Sequence, residues 1–140
     1  MSRDPAATAS ALAADASPPS RLLCRLDELG AGDCREFRLG TGQWPLRGFV
    51  VKVAGGVRAY VNRCAHLRYP LNYLPDEFLT YDRALIECSM HGAVFEKDTG
   101  LCVGGPCLGR SLVGLPVRIE AGCVWLAEEA DPEELVTRYA

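Results

Sequence analysis

Tyr60-Val61-Asn62-Arg63-Cys64-Ala65-His66 and, after a gap of 21 residues, Cys88-Ser89-Met90-His91-Gly92 contain the only two histidines of the chain, each a short step from a cysteine. Both Cys-His pairs interrupt a strand-like pattern. The first follows the alternating run Val57-Arg58-Ala59-Tyr60-Val61, and the second follows Ala84-Leu85-Ile86-Glu87 and runs into Gly92, so each pair is read as a loop between strands. A thiolate is a soft, charged donor and a neutral imidazole a borderline, uncharged one. Two of each in a pair of short loops make Cys64, His66, Cys88 and His91 a candidate ligand set for a transition-metal centre.

Outward from these loops the chain is a series of short β runs separated by Gly, Asp and Pro: 21–26, 34–39, 48–54, 57–62, 84–88, 93–97, 111–120 and 123–126. Gly55-Gly56 and Ala121-Gly122 read as tight hairpin turns. Many short strands with frequent turns predict an all-β protein built from antiparallel sheets. The one helix signal lies at the C-terminus, with Asp131 as N-cap, Pro132 as first helical residue, and Leu135 and Val136 as the apolar side. Residues 1–20, rich in Ala, Ser and Pro, have too few large apolar side chains to offset the entropy of ordering them, which predicts a disordered tail.

With 140 residues, 49% of them hydrophobic and 24% charged, the chain has room for one domain with its own core and none for a second catalytic domain. A formal charge of -3 leaves no footprint for nucleic acid or an anionic membrane surface. The first 20 residues have neither the apolar run of an export signal nor a twin-arginine pair, and no later stretch resembles a membrane span. The expected location is the cytoplasm. In that compartment seven cysteines, an odd number, are expected to be reduced or metal-bound rather than bridged. Cys24, Cys34 and Cys123 are read as small buried residues.

Two metal chemistries use two Cys and two His. Structural zinc sites separate both cysteines by two to four residues and both histidines by three to five, whereas here Cys-His alternates with Cys-His. A 2Fe-2S cluster with two cysteines on one iron and two histidines on the other suits the interleaved order. The sequence over about residues 21–127 resembles the Rieske ferredoxins and Rieske domains. The resemblance extends beyond the ligand pairs to His91-Gly92-Ala93-Val94-Phe95, Asp98-Thr99-Gly100, Gly104-Gly105-Pro106-Cys107 and Leu115-Pro116-Val117-Arg118.

The resemblance implies Cys64, His66, Cys88 and His91 as ligands of a Rieske 2Fe-2S cluster. It also implies a cluster-binding part at about 62–110 made of two hairpin loops, a Gly-Pro loop covering the cluster, and a short helix within 128–140. The implied function is one-electron transfer, in which a ferredoxin-like carrier, not itself an enzyme, takes electrons from a flavin-dependent reductase and passes them to a terminal oxygenase. A small Rieske subunit of a larger reductase, as in assimilatory nitrite reductase, and a structural zinc-binding module are the alternatives. An oxygenase component would need a separate iron held by two further histidines and a carboxylate, and no histidine is left for it.

Departures from the respiratory Rieske proteins are equally informative. Where those carry an additional disulfide between the loops, this chain has Tyr69 and Met90; where they carry serine and tyrosine hydroxyls that bond cluster sulfurs, it has Ala93 and Phe95. Loss of hydroxyl donors destabilises the electron-rich state, which predicts a low-potential type. Cys107, in the cover loop, is read as a small filler or a weak thiol donor, and Cys102 and Cys107 as unbridged. Leu67, Tyr69, Pro70, Met90 and Pro106 are read as apolar side chains that exclude water from the cluster and give a partner a non-polar landing surface, with shielding alone as the alternative; the acidic run Glu128, Glu129, Asp131, Glu133 and Glu134 is read as a helix start or docking surface, and Trp44 and Trp125 as packed in the core or against a loop.

Overall fold

The computed structural model describes residues 21–30, 32–40, 43–65, 69–90 and 92–139. The expected tail at 1–20, Leu67 and both candidate ligand histidines, His66 and His91, lie outside the described residues. Among the described residues ten strands form in chain order: β1 (Leu22–Arg25), β2 (Cys34–Leu39), β3 (Leu46–Val53), β4 (Gly56–Val61), β5 (Leu85–Glu87), β6 (Val94–Glu96), β7 (Cys102–Gly104), β8 (Gly114–Leu115), β9 (Val117–Glu120) and β10 (Cys123–Leu126). A single 3-10 turn, Leu26–Glu28, follows β1, and helix α1 (Pro132–Tyr139) ends the chain. All pairings are antiparallel, in three sheets ordered β1-β10-β9, β2-β3-β4-β8 and β5-β6-β7.

The four-stranded sheet divides two hydrophobic cores, and the period-2 alternation of its strands assigns each side chain to one of them. Phe49, Val51 and Val53 of β3, with Tyr60 of β4, join a core containing Phe78, Ile86, Phe95, Cys102 and Leu112. Leu46 and Val50 of β3, with Val57, Ala59 and Val61 of β4, join the opposite core with Leu23, Val124 and Leu126, against which Leu135, Val136 and Tyr139 of α1 pack. Both faces of β3 are thus covered, and Phe49, Val50 and Val51 are 0% exposed. Phe49 stacks on Phe78 with ring centroids 4.1 Å apart, fastening the segment between the two Cys-His pairs to the sheet.

Local chemistry explains where strands stop. Ala121 and Gly122 have φ of 55° and 75° between the paired Glu120 and Cys123, as the expected two-residue hairpin turn requires. At the other hairpin the turn is Ala54-Gly55, one residue earlier than expected, because Val53 pairs directly with Gly56. The expected strand 111–120 is two strands in different sheets. Pro116 supplies no amide to a ladder, so the chain leaves β4 after Leu115 and joins β10 from Val117. The short β7 and the 3-10 turn have no counterpart among the expected strands.

Helix α1 begins as expected, with Asp131 Oδ1 accepting from the Glu133 amide at 3.0 Å. Cys24 and Cys34 are buried, but Cys123 is only half-buried. Trp44 is 74% exposed and packs in neither core, against expectation. Trp125 lies at the sheet surface beside the Arg118 guanidinium, its indole donating to the Glu120 carbonyl at 3.1 Å.

Gly48 faces the Phe37 ring so closely that an added Cβ would lie 2.4 Å from Phe37 Cζ. Gly48→Ala should therefore destabilise the fold by about 1–3 kcal/mol through overpacking, read as a lower urea midpoint, and Phe37→Leu should partly relieve it. Burial pushes the Cys24 and Cys34 thiols from 9.0 up to about 12, and the Tyr60 phenol from 10.0 up to about 12. An unfolded chain sheds these protons first, so over about pH 9–12 the folded state binds more protons and stability falls as pH rises. Urea midpoints measured under reducing conditions should decline across that window, with a shallower slope in Cys24→Ala.

Candidate metal centre

Each candidate cysteine closes a loop by its own backbone. The Cys64 amide donates to the Tyr69 carbonyl and the Cys88 amide to the Ala93 carbonyl, both at 2.8 Å. The spacing is five residues in each case, so the two loops share one neck geometry, and His66 and His91 fall inside the closed segments in sequence. Gly92, with φ of 74°, makes the sharp return of the second loop, its amide donating to the Cys88 carbonyl at 3.0 Å. A further bond, Ser89 amide to Leu71 carbonyl at 2.8 Å, ties the second loop to the return arm of the first.

Beneath the first loop lies Asn62, the one buried polar residue among those described. Its Oδ1 accepts from the Leu71 amide at 2.8 Å, its Nδ2 donates to Asn72 Oδ1 at 2.9 Å, and its amide donates to the Arg47 carbonyl at 2.9 Å. One side chain at the end of β4 thereby holds the far end of the loop. Arg63, next in sequence, donates to the Tyr139 carbonyl at 2.7 Å and lies over the Tyr139 ring, anchoring the loop to the C-terminal end of α1, where a cation is favoured. Neither role was expected; a lone Asn or Arg after a strand gives no sequence signal of what it will reach.

The thiols are sheltered. Cys64 and Cys88 are 3% and 1% exposed and belong to one buried cluster with Ala93, Phe95, Cys102 and Cys107. The expected cover loop packs on the second Cys-His loop: a Cβ on Gly105, where φ is 96°, would lie 2.7 Å from Ala93 Cα, so only glycine allows this approach. Cys107 lies inward from that loop, where burial, reinforced by Cys102 and Cys64, raises its thiol pKa. All seven cysteines are unbridged.

Several apolar side chains are exposed around this buried patch. Tyr69, Pro70, Met90 and Pro106 are exposed, as are Tyr73 and Leu108, and the Tyr73 hydroxyl reaches Met90 Sδ at 3.6 Å across the two loops. Tyr69 and Met90 are exposed, so of the two readings shielding alone does not describe them. Much of the acidic run is engaged within the chain: Glu128 faces Arg21 and Arg118, Glu134 faces Arg138, and Asp131 caps α1.

Among the described residues no three His, Cys, Asp or Glu side chains gather as a metal site; the structure brings Cys64 and Cys88 into one cluster and does not describe His66 or His91. Two buried thiols beneath loops that enclose two histidines in sequence fit a small iron-sulfur centre with mixed ligation. Among the described residues no helix is long and apolar enough to cross a membrane.

A family model described as Rieske [2Fe-2S] domain matches residues 21–121. A comparison with curated proteins yields no significant match. Among solved structures, the ferredoxin of Sphingomonas yanoikuyae B1 is 26% identical with a TM-score of 0.58, the match covering 78% of this chain and 98% of that one. The ferredoxin of carbazole 1,9a-dioxygenase from Nocardioides aromaticivorans IC177 is 24% identical, TM-score 0.59, with coverage of 79% and 98%. The terminal oxygenase of carbazole 1,9a-dioxygenase from Novosphingobium sp. KA1 is 28% identical, TM-score 0.59, covering 77% of this chain but only 28% of the oxygenase.

Asn62→Ala removes the acceptor for the buried Leu71 amide. Leaving such an amide unpaired costs about 1–3 kcal/mol, so the variant should show a urea midpoint lowered to match and faster amide exchange at Leu71 and Ser89.

Proposed function

Because the chain belongs to the Rieske [2Fe-2S] domain family, matched over residues 21–121, we propose that it is a ferredoxin-like carrier of single electrons between a flavin-dependent reductase and a terminal oxygenase. Its cofactor is a Rieske 2Fe-2S cluster, which accepts and releases one electron when bound. The observation carrying the proposal is the near-complete span of a ferredoxin, 98% of the Sphingomonas protein, against 28% of an oxygenase chain. One similar ferredoxin is named as that of carbazole 1,9a-dioxygenase, which supports an oxygenase as acceptor. The family match sets aside the zinc-binding alternative, and nothing in the fold favours a subunit of a larger reductase.

Cys64 and Cys88 would hold one iron and His66 and His91 the other. The protein's contribution is positional. The loop necks fix the backbone of both cysteines, Asn62 and the Ser89–Leu71 bond keep the loops at one separation, and Ala93 with the Gly105 turn excludes water from the thiol side. Exposed Tyr69, Tyr73 and Met90 offer a partner a non-polar landing surface close to the loops. Unbridged cysteines agree with a reducing cytoplasm.

His66→Ala or His91→Ala should abolish cluster incorporation or replace the Rieske-type paramagnetic signal of the dithionite-reduced protein; an unchanged signal would refute the ligand assignment. Ala93 and Phe95, both fully buried, carry no hydroxyl. A potentiometric titration should therefore place the midpoint in the lower half of the roughly -150 to +300 mV Rieske range.

A further inference from the structure

Outside the candidate ligand set, the fold brings two thiols into contact. Cys102 Sγ and Cys107 Sγ lie 3.2 Å apart, and both residues are 2% exposed. The chain between them doubles back on itself. Gly105, with φ of 96°, makes the return. Three backbone bonds hold the ends together: the Cys102 amide donates to the Arg110 carbonyl at 2.7 Å, the Gly109 amide to the Cys102 carbonyl at 3.3 Å and the Arg110 amide to the Cys107 carbonyl at 2.9 Å. Cys24 and Cys34 are buried as well, but they belong to different cores.

A disulfide sets its sulfurs about 2.05 Å apart, a short approach from the 3.2 Å seen here. The backbone of both residues is already fixed by the three bonds, so side-chain rotation is the movement that remains. The loop that buries the pair is itself at the surface, with Val103, Gly105, Pro106, Leu108 and Gly109 exposed. Local opening of a few residues therefore admits a small reagent to the sulfurs without unfolding the core.

We propose that Cys102 and Cys107 form a redox-sensitive clasp on the loop that packs against Ala93, a dithiol in a reducing medium and an intramolecular disulfide when a small-molecule disulfide such as oxidised glutathione accumulates. One protein sulfur attacks the reagent disulfide, forming a mixed disulfide and releasing one glutathione thiol. The other protein sulfur then attacks the first, breaking the mixed disulfide and releasing the second glutathione thiol. Two electrons and two protons leave the protein pair, and the reagent disulfide takes up both. The new bond joins β7 to the far side of the Gly105 turn, and so holds closed the turn whose added Cβ would meet Ala93 Cα at 2.7 Å. The seven unbridged cysteines of the structure are the reduced state of this clasp.

The test uses the full chain loaded with its cluster, equilibrated without oxygen in glutathione buffers from fully reduced to fully oxidised, then alkylated and mapped by mass. A linkage between Cys102 and Cys107, lighter by two hydrogen atoms than the dithiol, should appear as the buffer becomes oxidising, while Cys24 and Cys34 stay free. Amide exchange at Cys102, Gly109 and Arg110 should slow by about tenfold or more in the linked form, because a cross-link across a short loop restrains its open state. In Cys107→Ser, close in size to the wild type, those exchange rates should not respond to the buffer.

Free thiols at both positions in the fully oxidised buffer would overturn the proposal, and so would glutathione attached to either one without a linkage between them. A linkage that leaves exchange unchanged, or equal slowing in Cys107→Ser, would refute the clasp. A wild-type protein with no Rieske signal would sink the ligand assignment alone, since neither the linkage nor the exchange is read through the cluster.

Discussion

The amide of Cys64 bonded to the carbonyl of Tyr69, and the amide of Cys88 bonded to the carbonyl of Ala93, are the constraint on which the rest of this molecule turns. A buried amide cannot go unpaired without a penalty of about 1–3 kcal/mol. Closing each loop through the amide of its own cysteine therefore satisfies that need and fixes the backbone of the candidate ligand in one step. The Ser89–Leu71 bond then makes the two loops a single body, and Asn62 fastens that body to the end of β4. For a protein whose cofactor is a 2Fe-2S cluster, such fixed placement is the main thing a polypeptide contributes beyond the cofactor's own chemistry.

The sheet layers serve that placement. The four-stranded sheet presents one face to the core beneath the loops and the other to the core formed with β1, β9, β10 and α1. Because β3 is packed on both sides, the base of the first loop inherits the rigidity of the most buried strand. Even the C-terminal helix takes part, since Arg63 joins its last turn to the residue before Cys64. The exposed side chains around the loops are apolar where a partner would approach, and the acidic side chains near α1 are largely spent on capping and internal ion pairs.

Sulfur chemistry concentrates on the cluster side of the main sheet. Cys64, Cys88, Cys102 and Cys107 share one core. Cys24 sits in the other, where burial alone accounts for most of its raised pKa. Free cysteine is at home in any apolar interior, so burial does not separate the working thiols from the passive ones. Neighbours differ: Cys102 and Cys107 face each other at 3.2 Å, while Cys24 lies among Leu and Val side chains.

The two Cys-His segments were enough to read the family and its 2Fe-2S cofactor, since Cys-His spacing is a local property and the residue types limit the centre they can serve. Alternation within β3 and β4, the Ala121-Gly122 turn and the Asp131 cap were legible for the same reason, because each depends on residues within a few positions of one another. What lay beyond reach depends on partners distant in the chain. Asn62 meeting Leu71, Arg63 meeting Tyr139, β7 completing the third sheet and Pro116 passing the chain from one sheet to another all follow from packing the whole. Trp44 at the surface and the pairing of Cys102 with Cys107 belong to the same class. Side-chain type and spacing determine what a residue can do, but only the tertiary fold, by setting which distant groups share a dry space of a few ångströms, determines what it does.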